Sequence, residues 1–190
     1  PQDLSAFSRL YPEIKIDLQE RVSSEIIAAV RDGLTDIGIF AGHVPAPDLQ
    51  QLSYRHDRLV LMTPIDHPLA ERESIAFNEA LAFDFIGLQQ DASLQSLLNE
   101  QANLAGKALR MRIQVRSFDA ICRMIHHGMG VGVLPEQTIY RDLGDLQLKS
   151  IPISDPWAQR ELVIGMRRYA SLHVTARHLV DHLTQTTDER

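Results

Sequence analysis

The sequence predicts an α/β protein of two doubly wound lobes. Three observations carry this. Hydrophobic spacing switches repeatedly between a period of two and a period near 3.6. The order strand, helix, strand occurs at 13–40 and again at 83–134, and each such unit implies a parallel sheet with a right-handed crossover. Two lobes of about 80–100 residues fit this repeated order better than one large sheet.

The elements follow in order. Leu4, Phe7, Leu10 and Tyr11 have helical spacing, and Pro12 stops that helix. From Glu13 to Glu20, Ile14, Ile16 and Leu18 alternate with Lys15, Asp17 and Gln19, which predicts a strand with one buried face. Ser23 or Ser24 opens a helix with Ile26, Ile27 and Val30 on one side, ended by Gly33. A short apolar strand follows at Asp36–Phe40, then Ala41 and Gly42. Two more strands are expected at Leu49–Tyr54 and Arg58–Thr63, and a helical turn at Phe77–Leu81.

Phe83–Leu88 is an apolar strand, and Asp91 or Ser93 caps a helix that turns Leu94, Leu97, Leu98 and Ala105 inward. Leu109, Met111, Ile113 and Val115 alternate with arginines and Gln114 in a half-buried strand. Ser117 caps a helix striped by Phe118, Ile121, Cys122 and Ile125. Gly128-Met129-Gly130 turns into a strand at Val131–Leu134. Strands at Leu146–Ile153 and Glu161–Met166 and a helix bearing Leu172, Ala176, Leu179, Val180 and Leu183 complete the chain. The chain is expected to cross between lobes at Ala82–Phe85 and Ile151–Pro156. Lobe I is then 1–82 plus 155–190, and lobe II is 83–154.

Composition narrows the function. The net charge is −6, with sixteen Arg and three Lys dispersed along the chain. No stretch gathers a phosphate-binding stripe, so this chain is a poor holder of DNA or RNA. No apolar run reaches the roughly 20 residues of a membrane span, and no signal peptide is visible. One cysteine excludes an internal disulfide and a cysteine-rich zinc site.

Candidate chemistry is sparse. Gly128, Gly130 and Gly132 lack the Lys of a phosphate loop and the third glycine of a dinucleotide fingerprint, and they lead into a strand; a turn accounts for them. His178 and His182 have the spacing of a metal pair, but the Glu of a zinc-protease helix is absent and a solvated helix face is favoured. His126 and His127 suit the negative end of their helix. Cys122 lies on an apolar stripe, where a structural thiol is expected. No nucleophile and base are paired, and no metal or cofactor is expected.

Serines remain. Ser23, Ser93 and Ser117 each follow a strand and start a helix. Ligands of open parallel sheets bind at the carboxyl ends of strands, where helix N-termini offer free N–H groups. For any one of these serines taken alone, plain N-capping is the favoured reading.

Four ordered motifs resemble the effector-binding domain of LysR-type transcriptional regulators. They are Tyr11-Pro12-Glu13-Ile14-Lys15-Ile16-Asp17-Leu18; Val30-Arg31-Asp32-Gly33-Leu34-Thr35-Asp36-Ile37-Gly38-Ile39; Leu59-Val60-Leu61-Met62 followed by His67-Pro68-Leu69-Ala70; and Gly128-Met129-Gly130-Val131-Gly132-Val133-Leu134-Pro135. The resemblance implies two Rossmann-like lobes of the type II periplasmic-binding-protein kind, with the family's opening strand missing. It implies a small-molecule effector bound between the lobes by Ser23, Ala41, Gly42, Ser117 and Phe118, to which the strand-end position adds Ser93 as a further candidate contact. Some relatives carry an Arg near Ala41 to hold a carboxylate, so the Ala here argues against an acidic effector unless His43 supplies the charge. The implied partners are a second copy in a dimer, a tetramer in the full protein, RNA polymerase, and DNA through a winged helix-turn-helix outside this chain. The expected place is the cytoplasm, without catalysis. A solute-binding protein of a transport system is the alternative, and an enzyme on a similar scaffold is a third reading.

Overall fold

In the computed structural model, residues 2–139 and 146–185 are described. They build seven helices and seven strands besides two short 3-10 turns. Two compact units share the chain. One holds the described residues up to His56 and from Glu161 onward; the other holds those of Asp57–Arg160.

In the first unit, α1 (Gln2–Leu10) packs on α7 (Val174–Gln185). Phe7 is its buried anchor. Asp3 takes a hydrogen bond from Tyr54 and two from Arg55, and His182 Nε2 lies 3.1 Å from the Asp3 carbonyl. α2 (Ser23–Arg31) covers β1 (Gly38–Ala41). β1 runs antiparallel to β7 (Gln159–Met166), which lies between β1 and β2 (Gln50–Pro64). One small core gathers Val30, Phe40, Leu49 and Val163; another gathers Ile164, Met166, Val180 and Leu183.

In the second unit, β2 lies between β5 (Gly132–Pro135) and β6 (Leu148–Pro152), antiparallel to both. β3 (Phe85–Leu88) and β4 (Met111–Val115) are parallel. α3 (Phe77–Ala80), α4 (Ser93–Leu104), α5 (Phe118–His126) and α6 (Glu136–Ile139) complete it. The larger core joins Leu59, Leu61, Phe77, Phe85, Leu97 and Ile151. A second joins Met62, Ile86, Ile121, Ile125 and Leu134. The β4–α5–β5 path turns at Gly128 and Gly130, whose φ values of 70° and 153° favour glycine.

Three expectations need correction. Glu13–Glu20 forms no strand. Ile14 and Ile16 are half-buried as the alternation requires, but no ladder partner is present among the described residues, and Leu18 is 67% exposed. The two strands expected at 49–63 are one, β2, unbroken through Arg55, His56 and Asp57. Its charges can stay in the strand because Arg55 pairs with Asp3, and Asp57 pairs with Arg160.

The third concerns the crossings. The chain passes between the units within β2 and β7, at 56/57 and 160/161, rather than at 82–85 and 151–156. Packing explains the difference. Residues 59–64 pair with β5 and β6, and Ile75 and Phe77 enter the same core as Phe85. The Phe77 N–H also donates to Asp155 at 2.7 Å, tying the end of the segment to the second unit.

Candidate functional site

The six expected effector residues divide three and three between the units. In the first, Ser23 is the opening residue of α2 and is 8% exposed. The N-cap position belongs to Val22, which has no capping side chain, so Ser23 does not hold the capping place that its type suggested. Ala41 is the last residue of β1 and is buried. The Gly42 N–H donates to the Glu161 carbonyl at 2.8 Å. A Cβ at Gly42 would stand 3.2 Å from that same oxygen and 3.3 Å from Val163 Cγ1, so the backbone pairing there leaves little room for a side chain.

In the second unit, β3 and β4 place Ser93 and Ser117 at one end of a parallel pair. Leu88 and Val115, the last residues of these strands, are register partners. Ser93 then opens α4 behind an Ala92 N-cap that offers no side-chain bond. Ser117 is the N-cap of α5, its Oγ accepting the Ala120 N–H at 3.3 Å. Phe118 is half-buried and touches both cores of this unit. The carboxyl-end geometry expected for a ligand therefore exists for Ser93 and Ser117. In the first unit β1 is antiparallel to β7, so Ala41 and Gly42 do not end a parallel strand.

Burial shifts two titratable groups of the second unit. Burial first, with the Asp119 charge second, pushes the Cys122 thiol up to about 11. A thiol held there stays protonated near neutrality and is a poor nucleophile. Burial lowers the pKa of His67 against the opposing pull of Asp66; its Nδ1 accepts the Leu69 N–H at 3.2 Å. Asp119 accepts from Arg123 one turn on at 2.9 Å. Among the described residues, no group of three or more His, Cys, Asp or Glu side chains can hold a metal ion.

His178 and His182 are not a solvated face. His178 stacks on Tyr11 with ring centroids 5.0 Å apart, and His182 leans on Phe7 at 5.6 Å. Both serve the packing of α7 on α1. His126 Nδ1 accepts the Gln147 N–H at 3.1 Å.

Two arrangements escaped the sequence. The Asp3–Tyr54–Arg55 cluster joins residues 51 and 52 positions apart, and the Asp57–Arg160 pair spans 103. The available signal was opposite charge within β2, at Arg55 and Asp57.

No helix among the described residues is long and apolar enough to cross a membrane. The sequence profile described as the LysR substrate binding domain matches residues 1–188. The chain is 28% identical over 180 residues to a probable RuBisCO transcriptional regulator of Synechocystis sp.. That match takes in 90% of this chain and 52% of the relative, so the chain spans about half of that protein's length. Among solved structures, the fold is similar to the Synechocystis PCC6803 CcmR regulatory domain in complex with 2-PG. The TM-score there is 0.90 at 22% identity, covering 100% of this chain and 91% of the other. It is also similar to the effector binding domain of QuiR in complex with shikimate, with TM-score 0.85 at 16% identity over 100% and 90% of the two chains.

Proposed function

Because the chain belongs to the LysR substrate binding domain family, we propose that it is the small-molecule sensing part of a transcription regulator. The match over residues 1–188 is the observation that carries this reading. The effector-bound domains of like fold, one holding 2-PG and the other shikimate, support a small polar ligand.

The proposed effector contacts are Ser23, Ala41 and Gly42 from one unit and Ser93, Ser117 and Phe118 from the other. Hydroxyls and helix-terminal N–H groups give a polar ligand its hydrogen bonds, and Phe118 packs against its apolar part. The ligand acts by population shift: it binds one arrangement of the chain better and so favours it. Transmission runs through pairing with a second copy, as a dimer of this domain and a tetramer of the full protein, to DNA-binding segments outside this chain. RNA polymerase is the further partner of the whole regulator, and the cytoplasm is its place.

A thermal-shift screen of small polar metabolites, beginning with 2-PG and shikimate, tests the binding half. One compound should raise the midpoint saturably. A promoter reporter under the full regulator tests the other half, and the same compound should change its output over the same concentration range. A compound that binds the domain yet leaves the promoter unmoved contradicts regulation and favours transport.

A further inference from the structure

Asp57 and Arg160 form an ion pair nearly closed to water, their side chains 6% and 8% exposed. The bond runs from Arg160 Nη2 to Asp57 Oδ2. Asp57 Oδ1 and Arg160 Nε, both buried, have no hydrogen-bond partner among the described residues. These four atoms are the two prongs of a side-on Arg–carboxylate fork. One prong is engaged and the other is empty.

The position of this half-closed fork is specific. Asp57 is the first residue of β2 in the second unit, and Arg160 is the last residue of β7 there. The chain passes between the units only through these two strands, so the pair joins the crossings side by side. A buried ion pair is an inefficient source of stability, because desolvation offsets the attraction and an apolar pair of similar size often does as well. A pair with unsatisfied atoms is less efficient still. What such a pair does supply is a defined geometry between the strands that carry it.

We propose that Asp57 and Arg160 are a two-position latch on the crossing strands. With one prong engaged, β7 lies beside β2 in the sheet order described above. A small slide of β7 along β2 brings Nε onto Oδ1 and closes the fork without first breaking the Nη2–Oδ2 bond. The chain therefore has two discrete hydrogen-bonded settings at its crossings, as a bistable element requires, and the pair limits how freely the two units reorient. The purpose of such a latch rests on the sensing function proposed above; its existence does not, and the test uses the chain without any ligand.

Spin labels placed at Glu25→Cys on α2 and Glu100→Cys on α4, both exposed sites, read the distance between the units by pulsed electron spin resonance. Buried Cys122 stays unlabelled, and the labelled chain is diluted in excess unlabelled protein so that distances within one chain dominate. Two variants are compared at matched folded fraction by circular dichroism. R160K keeps the charge but has no fork, and the double variant D57L/R160M replaces the pair by apolar side chains. The distance distribution should broaden about twofold in each, while D57L/R160M melts at or above the wild-type midpoint. Distributions as narrow as wild type in both folded variants overturn the latch. Failure of both variants to fold overturns it as well, since the pair would then serve stability alone.

Discussion

Ser117 bears two readings that separate cleanly at the level of one hydroxyl. Its Oγ accepts the Ala120 N–H, so Ser117→Ala should cost about 1 kcal/mol of stability through the lost cap. For a chain of this size that is a fall of roughly 2–4 °C in melting midpoint. If Ser117 also meets the effector, affinity should fall about five- to 150-fold. A lower midpoint with unchanged affinity by calorimetric titration would leave capping as its whole role. His67 supplies the pH dependence. Its pKa is lowered in the folded chain, mainly by burial, so the unfolded chain takes up the proton more readily. Stability is then fully present above the ordinary histidine value and declines as pH falls through it toward the folded value. His67→Asn should flatten the stability profile by urea unfolding between about pH 7 and pH 5. Parallel profiles for variant and wild type would exclude His67 as the cause.

At the scale of elements, the glycine turn before β5 gives a graded test. At Gly128 an added Cβ meets nothing within 4 Å, so Gly128→Ala should cost only its left-handed backbone strain, about 1–2 kcal/mol. At Gly130 the added Cβ would lie 2.5 Å from the Asp84 carbonyl oxygen, which already accepts the Val131 N–H. Gly130→Ala should therefore cost about 3 kcal/mol, strain and overlap combined. Equal midpoint losses in urea would refute that ordering. The sequence made this turn legible because glycine spacing is local information. It also gave the helices and the apolar strands, since 3.6-fold and twofold spacing are properties of neighbouring residues. It misled at Glu13–Glu20, where alternation reports one-sided burial but a strand also needs a distant partner. It misled again at Arg55–Asp57, which read as a break. Those charges pair with Asp3 and Arg160, residues no local window contains.

For the molecule as a whole, the two-lobe α/β class was legible, and the places where the chain crosses were less so. Segment 57–82 looks like a continuation of the first lobe in sequence. It joins the second because Leu59, Leu61, Ile75 and Phe77 share a core with Phe85 and Leu97, a fact of long-range packing. The candidate site was legible as a set of helix-opening serines. The structure distinguishes them: Ser117 caps its helix, whereas Ser23 and Ser93 sit one position inside theirs. The central claim is that this domain binds a small molecule as a sensor. Native mass spectrometry of the purified domain after exposure to a bacterial metabolite extract tests it most directly. The account predicts one small polar molecule per domain, released on denaturation and diminished by Ser117→Ala and Ser23→Ala. A domain that is folded by circular dichroism yet emerges from saturating extract with no bound molecule would contradict it.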